Sequence, residues 1–267
     1  MANIKFRKNS NYTAGQRIKL SGGAGGMSIR TVVAESSGGG GGDPGVAGLL
    51  TWLKADAGVV YSGEDIISWE DQSGNDRHWT VSVELGGFVL ESEAQNGLPV
   101  ITAPPFTNQS FSTPTFLSDG SPAEVFVVVK SYDDQRAVGW GQFGTSTSTR
   151  YTFFNQVRET FGYSTYTGFT KYDGSAGFSI YNVSAEPGEL IIRADYPDGG
   201  SEPGLVVLKV LDALATTTWK SGTFLLFKSG LTPWWGSIGE LLVYDRVLTS
   251  EDRTTVYNYL QSRWAVS

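Results

Sequence analysis

The 267-residue chain has 34 glycines and 13% aromatic residues but only 18% charged ones. Many turns among large apolar side chains is the make-up of an all-β sandwich or barrel, not of a helical protein. A formal net charge of -7 argues against a nucleic-acid partner, and the absence of cysteine excludes disulfides and thiol chemistry.

Residues 1–45 differ from the rest. They hold a local excess of basic side chains, including Arg7, Lys8 and Arg17, and two runs that alternate polar and apolar residues. The first run carries Ile18 and Leu20, the second Ile29 and Val32. Glycine-rich stretches at 22–26 and 38–42 separate and follow them, as in a flexible linker. Two short strands cannot bury a core of their own. The sequence therefore predicts an extended glycine-rich docking arm that grips a larger assembly through Arg7, Lys8, Arg17, Ile18, Leu20, Ile29 and Val32. Solvated charges on a flexible end are the competing reading. No apolar h-region stands near the start, which predicts no signal peptide, and no run is long enough for a membrane span.

The globular domain is expected over residues 46–267. A short turn or helix is predicted at Val46–Leu53, after Asp43-Pro44. Strands follow at Asp65–Trp69, Trp79–Glu84, Gly87–Leu90 and Val100–Ala103. The near-continuous apolar run Glu124–Lys130 predicts a strand buried on both faces. Further strands are expected at Tyr151–Phe154, Phe178–Val183, Leu190–Ala194, Leu205–Val210, Thr223–Phe227 and Ile238–Tyr244. A closing helix has Thr249 as N-cap, Glu251 and Asp252 in its first turn, and Arg263 in its last. Its Val256, Leu260 and Trp264 form one apolar stripe. Many antiparallel strands with few helices predict a two-sheet antiparallel jelly-roll sandwich with a short C-terminal helix.

Several segments have local meaning. In Trp69-Glu70-Asp71-Gln72-Ser73-Gly74-Asn75 the indole can anchor a strand end, and Asp71 can bond the N–H groups of the turn. Asp71 and Asn75 are also the candidate calcium ligands, and no other cofactor is expected. Gly239 predicts close approach of another backbone, and Glu240 a structural hydrogen bond within a strand. With Leu50–Asp56, Asn96–Val100, Val125–Val129, Gly236–Arg246 and Tyr259–Trp264, the chain resembles the concanavalin A-like, laminin-G-type jelly-roll domains of bacterial and phage surface proteins. The resemblance runs over residues 48–265. It implies the sandwich fold and leaves the ligand open, because such domains bind sugars, proteins or only their neighbours.

Catalysis is not expected. Glycoside hydrolysis needs two carboxylates facing one bond, and on a strand these would sit two or four residues apart. Glu64-Asp65 and Glu70-Asp71 are adjacent instead. The single histidine, His78, cannot build a zinc cluster and has no Gly-x-Ser-x-Gly partner.

Binding remains. Trp140, Tyr163, Tyr166 and Tyr172 stand among Gly, Ser and Thr, a setting suited to sugar stacking or a protein interface, with packing at the sandwich ends as the alternative. Of Trp234-Trp235, the family pattern places Trp235 inward and leaves Trp234 exposed. The expectation is a non-enzymatic structural protein of a phage virion, made in the host cytoplasm. It would be a capsid decoration protein that binds a capsid or tail protein through residues 1–45, as part of an oligomer or larger assembly. The alternative is a carbohydrate-binding module, or a tail-fibre or baseplate receptor-binding protein that grips host polysaccharide.

Overall fold

The computed structural model describes residues 17–23, 26–32, 42–81, 87–104, 109–113, 116–117, 121–132, 139–143, 151–154, 178–186, 189–194, 206–212, 224–229, 232–233 and 235–266. In chain order the strands are β1 Arg17–Gly23, β2 Gly26–Val32, β3 Leu49–Lys54, β4 Val59–Ser62, β5 Asp65–Trp69, β6 Trp79–Val81, β7 Val89–Gln95, β8 Leu98–Ala103, β9 Phe111–Thr113 and β10 Ala123–Ser131. They continue as β11 Gly139–Phe143, β12 Tyr151–Phe154, β13 Ser179–Glu186, β14 Glu189–Ala194, β15 Val206–Asp212, β16 Phe224–Leu226, β17 Lys228–Ser229, β18 Thr232–Pro233 and β19 Gly236–Tyr244, followed by helix α1 Ser250–Trp264.

Among the described residues these strands build two large antiparallel sheets. One runs β1-β2-β4-β5-β6-β9-β16-β11-β12, the other β15-β14-β13-β10-β19-β8-β7, with β3 also on β19. The predicted sandwich and its C-terminal helix are present.

The two central strands explain the layering. Along β10, Val125, Val127 and Val129 join the core between the sheets, with Trp69, Trp79, Phe111 and Phe227. The alternate residues Phe126 and Val128 join a second core beneath α1, with Val256, Leu260 and Trp264. A strand covered on both faces needs apolar residues at every position, and that is the run the sequence contains. Full burial of each such side chain stabilises the fold by about 1.5–3 kcal/mol. The order is therefore sheet, sheet, helix.

Helix α1 starts where the sequence predicts. Thr249 is extended at the N-cap and its hydroxyl accepts from the Asp252 N–H at 3.1 Å. The other predicted helix is not there. Leu49–Lys54 is strand β3, paired with β19 through Leu53↔Leu241 and Trp52↔Leu242. Gly48, at φ +92°, interrupts any helix entering that segment, and a side chain on it would strike Asp245. Both faces of β3 are buried, Leu53 between the sheets and Trp52 beneath α1, so tertiary packing overrides the local preference. Strands β4, β9, β11, β17 and β18 were not anticipated.

Of segment 1–45 the described residues include two strands, which stand at one end of the nine-stranded sheet. Ile18, Leu20 and Arg17 lie on β1, and Ile29 and Val32 on β2, in an antiparallel hairpin whose register pairs Arg17 with Val32. Strand β2 meets β4 at one register pair, Val32↔Val60. Arg7 and Lys8 lie outside the described residues.

Candidate functional site

The chemistry-bearing residues first converge on Glu240, on β19 beneath α1. The carboxylate is fully buried and accepts four hydrogen bonds. Trp52 Nε1 and Trp264 Nε1 each donate at 2.7 Å, Tyr259 Oη at 2.8 Å and Arg263 Nε at 3.0 Å. Arg263 also donates through Nη2 to Asp56 at 2.5 Å. Burial works against the guanidinium charge, but Glu240 and Asp56 outweigh it and raise the Arg263 pKa. Burial, then the Glu240 charge and hydrogen bond, push the Tyr259 phenol well up. Glu240 is the strand hydrogen-bonder predicted from the sequence.

Gly239 is the β-bulge residue opposite Val128 and Val129, which pair with Glu240 and Ile238. The group that crowds it is the Trp264 indole, which a Cβ would strike, and not a backbone as predicted.

A second fully buried carboxylate, Glu124 on β10, is equally committed. Arg253 donates to it from Nε at 2.6 Å and Nη2 at 3.1 Å, the Leu248 N–H at 2.7 Å and Asn182 Nδ2 at 2.7 Å. Sequence reasoning missed this residue and both arginines as partners, since Glu124 and Arg253 are 129 positions apart. The legible signal was a charge at the head of a strand otherwise buried on both faces.

The 69–75 segment is a knot of backbone contacts. Asp71 accepts from the N–H groups of Trp52 at 2.7 Å, Ser73 at 3.0 Å and Arg77 at 3.1 Å, and from the Ser73 hydroxyl at 2.8 Å. Asn75 Nδ2 donates to the carbonyls of Leu49 at 2.8 Å and Leu50 at 3.1 Å. Exposed His78 accepts from the Asp71 N–H at 3.1 Å. The turn role predicted for Asp71 is thus filled by protein donors. Among the described residues no group of three or more His, Asp or Glu is placed to hold a metal ion. Nor is any helix there long and apolar enough to cross a membrane.

At the surface one aromatic expectation, the inward Trp235, is revised. Trp235 is 36% exposed, not inward. It stands one residue before β19, and its ring lies 5.9 Å from that of Tyr132, tilted 48°. The Tyr132 N–H donates to the Trp235 carbonyl at 3.1 Å. Trp140 falls on the backbone of β11, while Tyr163, Tyr166, Tyr172 and Trp234 lie outside the described residues.

No protein-family model and no curated protein matches the sequence. Solved structures share the fold. Domain 4 of AbnA, a GH43 extracellular arabinanase from Geobacillus stearothermophilus, in complex with arabinotriose, is 14% identical, with a TM-score of 0.54 over 79% of this chain and 98% of that one. A GH54 α-L-arabinofuranosidase is 15% identical with a TM-score of 0.56, covering 76% of this chain. An arabinofuranosidase complexed with arabinofuranosyl-alpha-1,2-xylobiose is 15% identical with a TM-score of 0.54, covering 84%. The chain spans 52% and 61% of those two enzymes. At these identities the likeness is one of fold: a β-sandwich of the type that occurs in glycoside hydrolases.

Proposed function

We propose that this chain is a non-catalytic recognition module, a concanavalin A-like sandwich that binds carbohydrate without cleaving it. The observation that carries the reading is the commitment of Glu124 and Glu240. Both are fully buried, and each carboxylate is held by four protein donors. A glycosidase needs a carboxylate pair that reaches substrate and leaves room for water or a covalent sugar. The arabinotriose complex of the AbnA domain supports sugar as the partner of such a sandwich. The test is a glycan array beside an assay for reducing ends. Binding without release supports the reading. Release that disappears when one carboxylate is changed overturns it in favour of a glycosidase.

A second reading adds the setting. The basic residues of segment 1–45 and the five-glycine run at 38–42 support a docking arm, hence a virion protein that decorates a phage head or sits on a tail fibre or baseplate. The protein would then be retained in purified particles, several copies each, and deletion of residues 1–45 would release it. Retention of the deleted form would exclude the arm as anchor.

A further inference from the structure

Four neighbouring strands present one row of side chains. Val89 on β7 pairs with Thr102 on β8, Thr102 with Ser237 on β19, and Ser237 with Lys130 on β10. Directly paired residues share a face of the sheet. Trp235, two residues before Ser237, and Tyr132, two after Lys130, extend that face. It is the helix-covered side, beyond the C-terminal end of α1, since Lys130 Nζ lies 5.8 Å from the ring of Phe178 and Phe178 stacks on Trp264. Val89, 53% exposed, and Trp235 are the exposed large apolar residues among those described, and both stand here.

The polar groups beneath are ordered. Buried Ser237 donates its hydroxyl to Tyr132 Oη at 2.9 Å and lies 2.6 Å from buried Thr102 Oγ1. Each hydroxyl has one proton, so with Ser237 donating to Tyr132, Thr102 donates to Ser237. The Tyr132 phenol therefore accepts from below, and among the described residues no acceptor stands for its own O–H, which is left for a group outside. Lys130 Nζ lies 5.4 Å from the Tyr132 ring centroid, and no carboxylate among the described residues pairs with it.

From this geometry we infer that Trp235, Tyr132 and Lys130 form a carbohydrate platform: a sugar ring lays its CH face on the Trp235 indole, and its hydroxyl oxygens accept hydrogen bonds from Tyr132 Oη and Lys130 Nζ. The inference rests on the reading of the chain as a binding module and supplies the site. An indole beside two fixed hydrogen-bonding groups suits a ring that is apolar on one face and hydroxylated at its edge. The network below holds the phenol in place, so little ordering cost falls on binding. The formal net charge of -7 repels polyanions, so the class is a neutral glycan, and binding should change little with salt.

The experiment titrates the full chain with arabinotriose, xylotriose and cellotriose, following tryptophan fluorescence and heat. Trp235→Ala should weaken the binding by about tenfold. Lys130→Met, which keeps the apolar stem, should weaken it less, and Trp234→Ala and Tyr166→Ala should leave it unchanged. The melting transition of each variant separates lost binding from lost folding. Binding that survives Trp235→Ala but falls with Tyr166→Ala or Trp234→Ala overturns the platform and leaves the module intact. Failure of the native chain to bind any of the three at millimolar concentration overturns both.

Discussion

The six-membered ring of Trp264 occupies the space that a side chain on Gly239 would need. Helix and sheet can approach this closely only at a residue without a Cβ, and the approach brings Trp264 Nε1 within 2.7 Å of Glu240. Gly239→Ala forces the indole or the strand to move. Overpacking of this kind costs about 1–3 kcal/mol. Denaturant unfolding should show a lower midpoint with an unchanged slope.

Glu240→Gln leaves Arg263 buried with Asp56 as its remaining carboxylate partner, and an amide must serve donors that a carboxylate served. Breaking a buried ion pair by removing one partner costs on the order of 3–5 kcal/mol. The same variant should retain whatever sugar affinity the native protein has, provided it is assayed well below its own melting temperature. A loss of sugar affinity without a loss of stability would place Glu240 in a binding site.

Thr249→Ala removes the acceptor for the Asp252 N–H and should cost about 1 kcal/mol. Thr249→Asp should restore the stability, because a carboxylate at that position caps equally well. Thermal unfolding of the three proteins checks both statements.

Alkali should unfold the protein through its phenols. Burial pushes Tyr61 up to about 12 from 10.0, and raises Tyr244 and Tyr259 further, aided by Asp43 for Tyr244 and Glu240 for Tyr259. Above pH 10.0, the ordinary value, the unfolded chain has lost protons that the folded one still holds. Stability is thus complete below that pH and falls as pH rises toward the folded-state values. The share of the phenolate absorbance that belongs to these three of the twelve tyrosines should lag behind a free-tyrosine standard until the fold is lost, then rise in one step. Full phenolate absorbance at the standard's pH in the folded protein would show that these three rings are accessible to water.

The sheets, the closing helix and the both-face burial of β10 were legible because they are periodic or local: an alternating pattern, a capping threonine, a continuous apolar run. Strand β3 was not, because its pairing with β19 joins Trp52 to Leu242 and nothing near residue 52 announces it. The Glu124–Arg253 pair was hidden for the same reason. Trp235 was misplaced because the dipeptide Trp234-Trp235 says only that one ring faces away from the other. Which one faces water depends on where β19 begins. Three of the segments that carry the family resemblance, Leu50–Asp56, Gly236–Arg246 and Tyr259–Trp264, meet at Glu240, with Trp52, Tyr259 and Trp264 among its donors, which explains why they speak for the fold and so little for the ligand.

Strand β19 divides one of its edges between two partners, β8 along Gly236–Ile238 and β3 along Glu240–Tyr244, while β10 takes the other edge. During synthesis these three partners leave the ribosome long before the strand that joins them. The half-built sheet must wait, with its apolar ladders open, until residue 244 has emerged. Nascent chains stalled short of that point should be chaperone clients, and folding should be slow, set by the closure of loops more than a hundred residues long.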